Sequence, residues 1–155
     1  MEASFPDRGE RLCPTAADAQ ALGAELGKAL QAGDLVVLDG PLGAGKTTFT
    51  QGIARGMGVK GRVTSPTFVI AREHASQSNG PALVHVDAYR LGEDPLGELD
   101  ALDLDTALED AVVVAEWGGG LVEQLAQRYI HVTLDRRTHA ETEARIISWR
   151  VESGM

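Results

Sequence analysis

The sequence predicts an α/β fold: a three-layer sandwich with a mostly parallel central sheet and some antiparallel strands. Two short runs, residues 35–38 and 112–115, are wholly apolar, which is typical of strands buried on both faces. Segments of helical periodicity alternate with these and other short strand patterns along the chain. Strands that alternate with helices favour a parallel sheet with helices packed against it.

The individual elements follow from local signals. Thr15 and Asp18 stand close to capping-box spacing, and apolar residues then recur every three or four positions, so we expect a first helix ended by Gly33. A second helix is expected from about residue 46 to 57, closed by Gly58. The other expected elements are strands at residues 83–87, 129–134 and 145–151, an extended segment at 63–72, short helices within 96–108 and a helix at 119–128.

The length of 155 residues fits one domain. Residues 1–14 are polar and contain Pro and Gly, so we expect a flexible N-terminal arm followed by a single domain over residues 15–152. Cys13 is the only cysteine, which excludes an intrachain disulfide.

The formal charge of −9 argues against a stand-alone nucleic-acid binder. If the protein acts on RNA, we expect a partner to hold the RNA. The N-terminus lacks a signal-peptide pattern, and the longest apolar run, residues 111–115, is too short to span a bilayer. We therefore expect a soluble cytoplasmic protein with no membrane association.

Residues 40–47 match the phosphate-binding pattern G-x-x-x-x-G-K-[ST], with a buried strand predicted before it and a helix after it. Glycines allow the backbone N–H groups to converge on phosphate oxygens, and the helix adds its positive N-terminal end. We expect Lys46 to bridge the β- and γ-phosphates, Thr47 to bind Mg²⁺ and Thr48 to lie near the α-phosphate. No Asn-Lys pair is present for guanine recognition, so ATP is the expected nucleotide. The predicted nucleotide-binding residues of the loop are Gly40, Leu42, Gly43, Ala44, Gly45, Lys46, Thr47 and Thr48.

Two carboxylates end predicted strands, where ligands gather in an open α/β sheet. Glu116 follows the apolar run 112–115, the pattern of a residue that coordinates Mg²⁺ directly or through water. Asp87 ends the strand at residues 83–87 and is a candidate to polarise the attacking water or to support the metal from its outer shell. The plainer alternatives are a surface glutamate and a helix N-cap.

Other candidates stay open. Ser65 and Thr67 flank a proline where a switch segment would pass over the γ-phosphate, but an ordinary edge strand fits as well. Arg90 could neutralise developing charge or form a surface ion pair. His85, with an apolar neighbour on each side, is interpreted as structural. Trp117 follows a predicted buried strand and is interpreted as a core residue, although it could also stack in a partner contact.

Four segments together resemble one family, TsaE (also called YjeE). They are residues 40–48, residues 65–68 (Ser-Pro-Thr-Phe), residues 85–91 (His-Val-Asp-Ala-Tyr-Arg-Leu) and the Glu-Trp pair at 116–117. Their order and spacing agree with the family from about Thr15 to the last strand. The chain departs from it in the glycines at 118–120 and in a longer N-terminal arm.

The resemblance implies an ATPase of tRNA threonylcarbamoyladenosine synthesis that binds ATP and Mg²⁺, hydrolyses ATP slowly alone and joins a TsaB–TsaD pair. ATP turnover would reset that complex, and tRNA would be contacted only through the partners. By the same resemblance Lys46 is the phosphate lysine, Thr47 and Glu116 are metal ligands, and Asp87 is needed for turnover. Thr15 would border the nucleotide base.

Two rival functions remain open. One is a small-molecule kinase, although the acidic stretch 96–108 lacks the arginines of a kinase lid. The other is a nucleotide-sensing module in which hydrolysis is incidental.

Overall fold

A computed structural model of the chain describes residues 5–40, 45–59, 71–76, 80–87, 110–116, 128–135 and 145–153. Within these residues, seven strands form a single sheet and two helices pack on it. The elements are β1 (Arg8–Cys13), α1 (Ala16–Ala29), β2 (Leu35–Asp39), α2 (Lys46–Met57), β3 (Ala71–His74), β4 (Ala82–Asp87), β5 (Ala111–Glu116), β6 (Arg128–Asp135) and β7 (Arg145–Ser153).

The strand order across the sheet is β1-β7-β6-β2-β5-β4-β3. The pairs β6–β2, β2–β5 and β5–β4 are parallel, whereas β1–β7, β7–β6 and β4–β3 are antiparallel. Only β7 and β3 therefore run against the other five described strands. This confirms the predicted α/β fold with a mostly parallel sheet and antiparallel strands towards its edges.

The two apolar runs that predicted buried strands form β2 and β5, which are neighbours in the middle of the sheet. One face of the sheet packs against α1 and α2 in a single core. Residues of the opposite face, such as Leu35, Val37 and Val113, are buried as well. Burial on both faces explains why these strands carry no polar alternation.

Helix α1 begins as predicted but ends earlier. Thr15 caps it in a capping box with Asp18. The last helical residue is Ala29, because the Leu30 backbone is already extended. Gly33 instead occupies the turn into β2 with a φ of 96°, and its N–H donates to the Ala111 carbonyl at 3.0 Å. The expectation that Gly33 ends the helix is therefore wrong; it serves the next turn.

The prediction of a flexible arm at residues 1–14 is wrong for residues 5–13. Strand β1 pairs along its whole length with β7. Before it, Phe5 packs its ring 5.1 Å from that of Trp149, and the Trp149 indole N–H donates to the Pro6 carbonyl at 3.0 Å. An outer strand with one exposed face needs few apolar residues, and this one buries only Cys13 fully. The charged sequence of β1 therefore gave no apolar pattern from which a strand could be predicted.

The other strands predicted at residues 83–87, 129–134 and 145–151 are confirmed as β4, β6 and β7, with longer bounds. Only residues 71–72 of the predicted extended segment 63–72 are described, as the start of β3. The helices predicted at 96–108 and 119–128 lie outside the described residues, except that Arg128 begins β6. Neither described helix is long and apolar enough to cross a bilayer.

Helices α1 and α2 touch backbone to backbone at glycines. A Cβ built on Gly27 would lie 2.3 Å from the Ile53 carbonyl oxygen, and one on Gly52 would lie 2.2 Å from that of Gln20. Gly23 and Gly56 make equivalent contacts. From one contact to the next, the position moves towards the C-terminus in both helices. The two helices therefore run parallel, and their N-termini lie at the same end of the sheet.

The glycine contact predicts that Gly27→Ala destabilises the protein. Alanine normally stabilises a helix by about 1 kcal/mol relative to glycine. Here the added methyl must displace a helix backbone, and overpacking of this kind costs about 1–3 kcal/mol. Urea unfolding should give a lower midpoint for Gly27→Ala and an unchanged midpoint for Ala21→Leu, which adds carbon to an exposed position of α1. A Gly27→Ala midpoint equal to or above that of the wild type would contradict the contact.

The environment of Cys13 predicts an unreactive thiol. The side chain is fully buried, and burial raises the pKa of the Cys13 thiol. At pH 8 we expect Ellman's reagent to label the native protein on the order of 10³-fold or more slowly than the urea-unfolded protein, because labelling needs a rare opening. The unfolded thiol ionises near about pH 8.5 and the folded one above it, so stability should fall as pH rises beyond that value. Fast labelling of protein that keeps its native circular dichroism would refute the burial.

Candidate nucleotide-binding site

The C-terminal ends of three parallel strands meet at one edge of the sheet. Strands β2, β5 and β4 end at Asp39, Glu116 and Asp87. In the register, Glu116 is paired with Leu38 on one side and with Asp87 on the other. This is the edge at which open α/β sheets bind ligands.

Helix α2 starts at this edge with an uncapped N-terminus. Its N-cap, Gly45, has a φ of 97° and supplies no side-chain hydrogen bond, and the first turn contains no acidic residue. At α1, by contrast, the Thr15 hydroxyl and the Asp18 carboxylate occupy the cap. The first N–H groups and the positive end of the α2 dipole are thus not offset by its own side chains, which favours an external anion.

Gly45 is required for its backbone conformation. A Cβ at this position would meet nothing within 4 Å, so space is not the constraint. A φ of 97° lies in the region that L side chains rarely adopt, and glycine adopts it without strain. The loop therefore enters α2 through a left-handed residue.

Lys46, the first residue of α2, is only 7% exposed. Its Nζ donates to the Gly40 carbonyl oxygen at 2.9 Å, so the side chain lies back across the loop from one end to the other. On the next turn, the Thr50 hydroxyl donates to the Lys46 carbonyl at 2.8 Å. A buried ammonium held at a helix N-terminus reinforces the preference for an anion.

A single carboxylate oxygen links the helix to the sheet. The Thr47 hydroxyl lies 3.4 Å from Oε1 of Glu116, and Nε2 of His85 lies 3.3 Å from the same oxygen. Glu116 is 5% exposed and His85 is fully buried. The structure therefore brings together Lys46, Thr47 and Glu116, which the sequence predicted for one site, and adds His85.

Several predicted residues lie outside the described part of the chain. These are Leu42, Gly43 and Ala44 of the loop, together with Ser65, Thr67, Arg90 and Trp117. For Asp87 only the backbone is described. The inward-pointing ring of loop amides therefore remains a prediction.

Thr15 lies at the end of the sheet where the loop lies, because α1 and α2 run parallel. Its hydroxyl donates to the Asp18 carboxylate at 2.8 Å and accepts from the Asp18 N–H at 3.2 Å. Its hydrogen bonds thus serve the helix cap. Its proximity to a nucleotide base stays a prediction.

A recess of about 360 Å³ lies elsewhere, on strands β1, β6 and β7. Arg8, His131 and Arg150 are among its lining residues. Arg150 pairs with Glu152, and His131 lies 3.4 Å from Asp39. None of the described loop residues, 40 and 45–47, is among its lining residues, and we do not place the nucleotide there.

Comparison with known proteins agrees with the motifs. The model of the family "Threonylcarbamoyl adenosine biosynthesis protein TsaE" matches residues 13–146. The chain belongs to the TsaE family. The Mycobacterium tuberculosis (strain H37Rv) relative, named tRNA threonylcarbamoyladenosine biosynthesis protein TsaE, is 55% identical over 146 residues, 91% of this chain and 87% of the relative. The Streptomyces coelicolor relative of the same name is 58% identical over 115 residues, 74% of this chain and 77% of its own.

A solved structure supports the TsaE fold as well. The crystal structure of Bacillus subtilis YdiB superposes with a TM-score of 0.70 at 26% identity, covering 94% of this chain and 86% of that one. The likeness extends over almost the whole chain, so it concerns the whole α/β arrangement described above and not one loop.

Sequence reasoning did not anticipate the contact between His85 and Glu116 in this TsaE chain. Apolar neighbours at residues 84 and 86 favoured a structural interpretation. The informative signal was its position two residues before Asp87, on a strand predicted to end at the site. Its contact with Glu116 joins two strands and could not be read from either one alone.

Proposed function

We propose that this TsaE-family chain binds and hydrolyses ATP with Mg²⁺ and acts in tRNA threonylcarbamoyladenosine biosynthesis together with a TsaB–TsaD-like complex. The observation that carries the proposal is the meeting of the Thr47 hydroxyl and the Glu116 carboxylate beside the buried Lys46, at the uncapped start of α2. The biosynthetic role rests on family membership and on the names of the relatives.

The two oxygens fit a magnesium ion. Their separation of 3.4 Å exceeds that of an ordinary O–H···O hydrogen bond. Adjacent ligands of an octahedral Mg²⁺ lie about 3.0 Å apart, close to this spacing. Magnesium usually takes only one or two protein ligands and completes its shell with water and phosphate. That habit agrees with the finding that no cluster of three or more His, Cys, Asp or Glu occurs among the described residues.

Each residue has a separate task in this proposal. The N–H groups at the start of α2 and the Lys46 ammonium hold the phosphates, while Thr47 and Glu116 hold the metal. Bound Mg²⁺ would bridge phosphate oxygens and neutralise charge that develops during transfer. Asp87, at the end of the neighbouring strand, is the proposed partner of the attacking water, a task for which Ser65 and Thr67 remain alternatives.

We expect slow hydrolysis by the isolated chain, because the sequence places no arginine clearly as an arginine finger. Arg11 pairs with Glu25, Arg150 pairs with Glu152, and Arg55 lies in the last turn of α2. An arginine finger contributes about 10³–10⁵ in rate, so a partner that supplies one, or orders the site, would raise turnover strongly.

The division of tasks predicts different defects in two variants. Lys46→Ala should weaken binding of a fluorescent ADP analogue roughly tenfold to a hundredfold, because a charge-assisted hydrogen bond is lost. Glu116→Gln should bind the analogue normally in EDTA but lose Mg²⁺-dependent phosphate release. Lys28→Ala and Glu10→Gln, which change exposed residues of the same types, serve as controls. Equal loss of nucleotide affinity in Lys46→Ala and Glu116→Gln would refute the division.

The proposed partnership predicts that TsaB–TsaD accelerates ATP hydrolysis. Phosphate release should be slow for the isolated chain and rise by at least tenfold on mixing, with threonylcarbamoyladenosine appearing in tRNA nucleoside digests. Glu116→Gln should abolish the increase. Fast release by the chain alone, unchanged by the partners, would contradict the proposal, and a phosphorylated small molecule in place of free phosphate would favour a kinase.

A further inference from the structure

The buried histidine of β4 has no task in the mechanism above. His85 is fully buried in a strand that is itself between two others, with Arg72 of β3 and Val114 of β5 as its register partners. An imidazole in an apolar sheet is costly unless its nitrogens find partners. An aliphatic residue would fill this position without that cost.

The ring of His85 forms a hydrogen bond with Glu116, a residue of the candidate site. Nε2 lies 3.3 Å from Oε1 of Glu116, while Nδ1 is buried and has no partner among the described residues. An ionised carboxylate only accepts hydrogen bonds, so Nε2 is the donor in this contact. Of the two ring nitrogens of His85, Nε2 has a hydrogen-bond partner, which is Glu116, and Nδ1 has none among the described residues.

The register explains how the ring reaches the carboxylate. Glu116 is paired with Asp87, whereas His85 is paired with Val114, one pleat deeper in the sheet. The histidine therefore reaches the carboxylate from the diagonal position on the neighbouring strand, two residues before the register partner of Glu116. Thr47 approaches the same oxygen from α2. A glutamate side chain has three rotatable bonds, so an anchor at Oε1 restricts where the carboxylate can point.

We propose that His85 is a positioning residue: its Nε2–H fixes the Glu116 carboxylate in the orientation that binds the metal of the nucleotide complex. This inference rests on the proposed function. His85 itself touches neither metal nor nucleotide and acts only through Glu116. Outer hydrogen bonds of this kind typically contribute tenfold to a hundredfold to metal affinity.

The test measures metal binding directly, with Mn²⁺ as a paramagnetic substitute for Mg²⁺. Free Mn²⁺ is followed by electron paramagnetic resonance during titration of the ADP-loaded protein, and ADP affinity is measured separately in EDTA. His85→Leu should weaken Mn²⁺ binding tenfold to a hundredfold and change metal-free ADP affinity by less than about twofold. His85→Gln, which places an amide N–H near the position of Nε2, should restore most of the loss.

Two further variants separate positioning from packing. His74→Leu removes another buried histidine, on β3, and should leave Mn²⁺ affinity unchanged. In a Glu116→Gln background, His85→Leu should have no additional effect on Mn²⁺ affinity, because the two residues act as one unit. If the effects of His85→Leu and Glu116→Gln add, or if His85→Leu only lowers the melting temperature and leaves Mn²⁺ binding intact, the inference is wrong.

Failure of this inference can be told from failure of the proposed function. Wild-type protein that binds ADP but gains no Mn²⁺ site would overturn the magnesium-dependent mechanism and the positioning role together. A wild-type Mn²⁺ site that His85→Leu leaves unchanged would overturn the positioning role alone.

Discussion

The position of α2 depends on how closely α1 can approach it. Four glycines remove the side chains that would hold the two helices apart, so carbonyl oxygens of one helix lie only 2.2–2.5 Å from where a Cβ of the other would be. Helix α2 is thus fixed on one side by the sheet and on the other by a helix backbone. Since Lys46 and Thr47 are its first two residues, the same contact fixes where the ammonium and the hydroxyl stand relative to Glu116.

A chain of net charge −9 is a poor general host for a polyphosphate. The structure offsets the negative net charge locally, at the start of α2, and not through its overall composition. At α1 the capping box satisfies the N-terminus with an acidic residue, whereas α2 begins at a glycine with no acid in its first turn. The N-terminus of α1 is therefore already satisfied by its own side chains, and of the two described helices only α2 is left open to an anion.

The elements that could be predicted are those whose signal is local. The apolar runs of β2 and β5 and the terminal Gly58 of α2 each specify their structure within a few residues. Strand β1 could not be predicted in this way, because an outer strand with one exposed face has no apolar pattern to reveal it. Its partner β7 lies more than a hundred residues away in sequence, and only the folded sheet brings the two together.

In the candidate site, too, the features that could be predicted are the local ones. Sequence alone identified Lys46, Thr47 and Glu116, because each occupies a fixed place in a motif or at a strand end. It did not reveal that Thr47 and His85 approach the same oxygen of Glu116, since that depends on the register of β4 with β5 and on the placement of α2.

The sharing of that oxygen has a chemical consequence. A carboxylate oxygen offers two lone pairs, and in this structure the Thr47 hydroxyl and the His85 ring both approach Oε1 of Glu116, at 3.4 and 3.3 Å. A hydroxyl that binds a cation uses its own lone pair, so its hydrogen turns away from the carboxylate. If the proposed Mg²⁺ bound here, it would replace the long Thr47 contact and leave the His85 contact in place. The carboxylate would keep one anchor in the sheet, so it would not need to be reoriented.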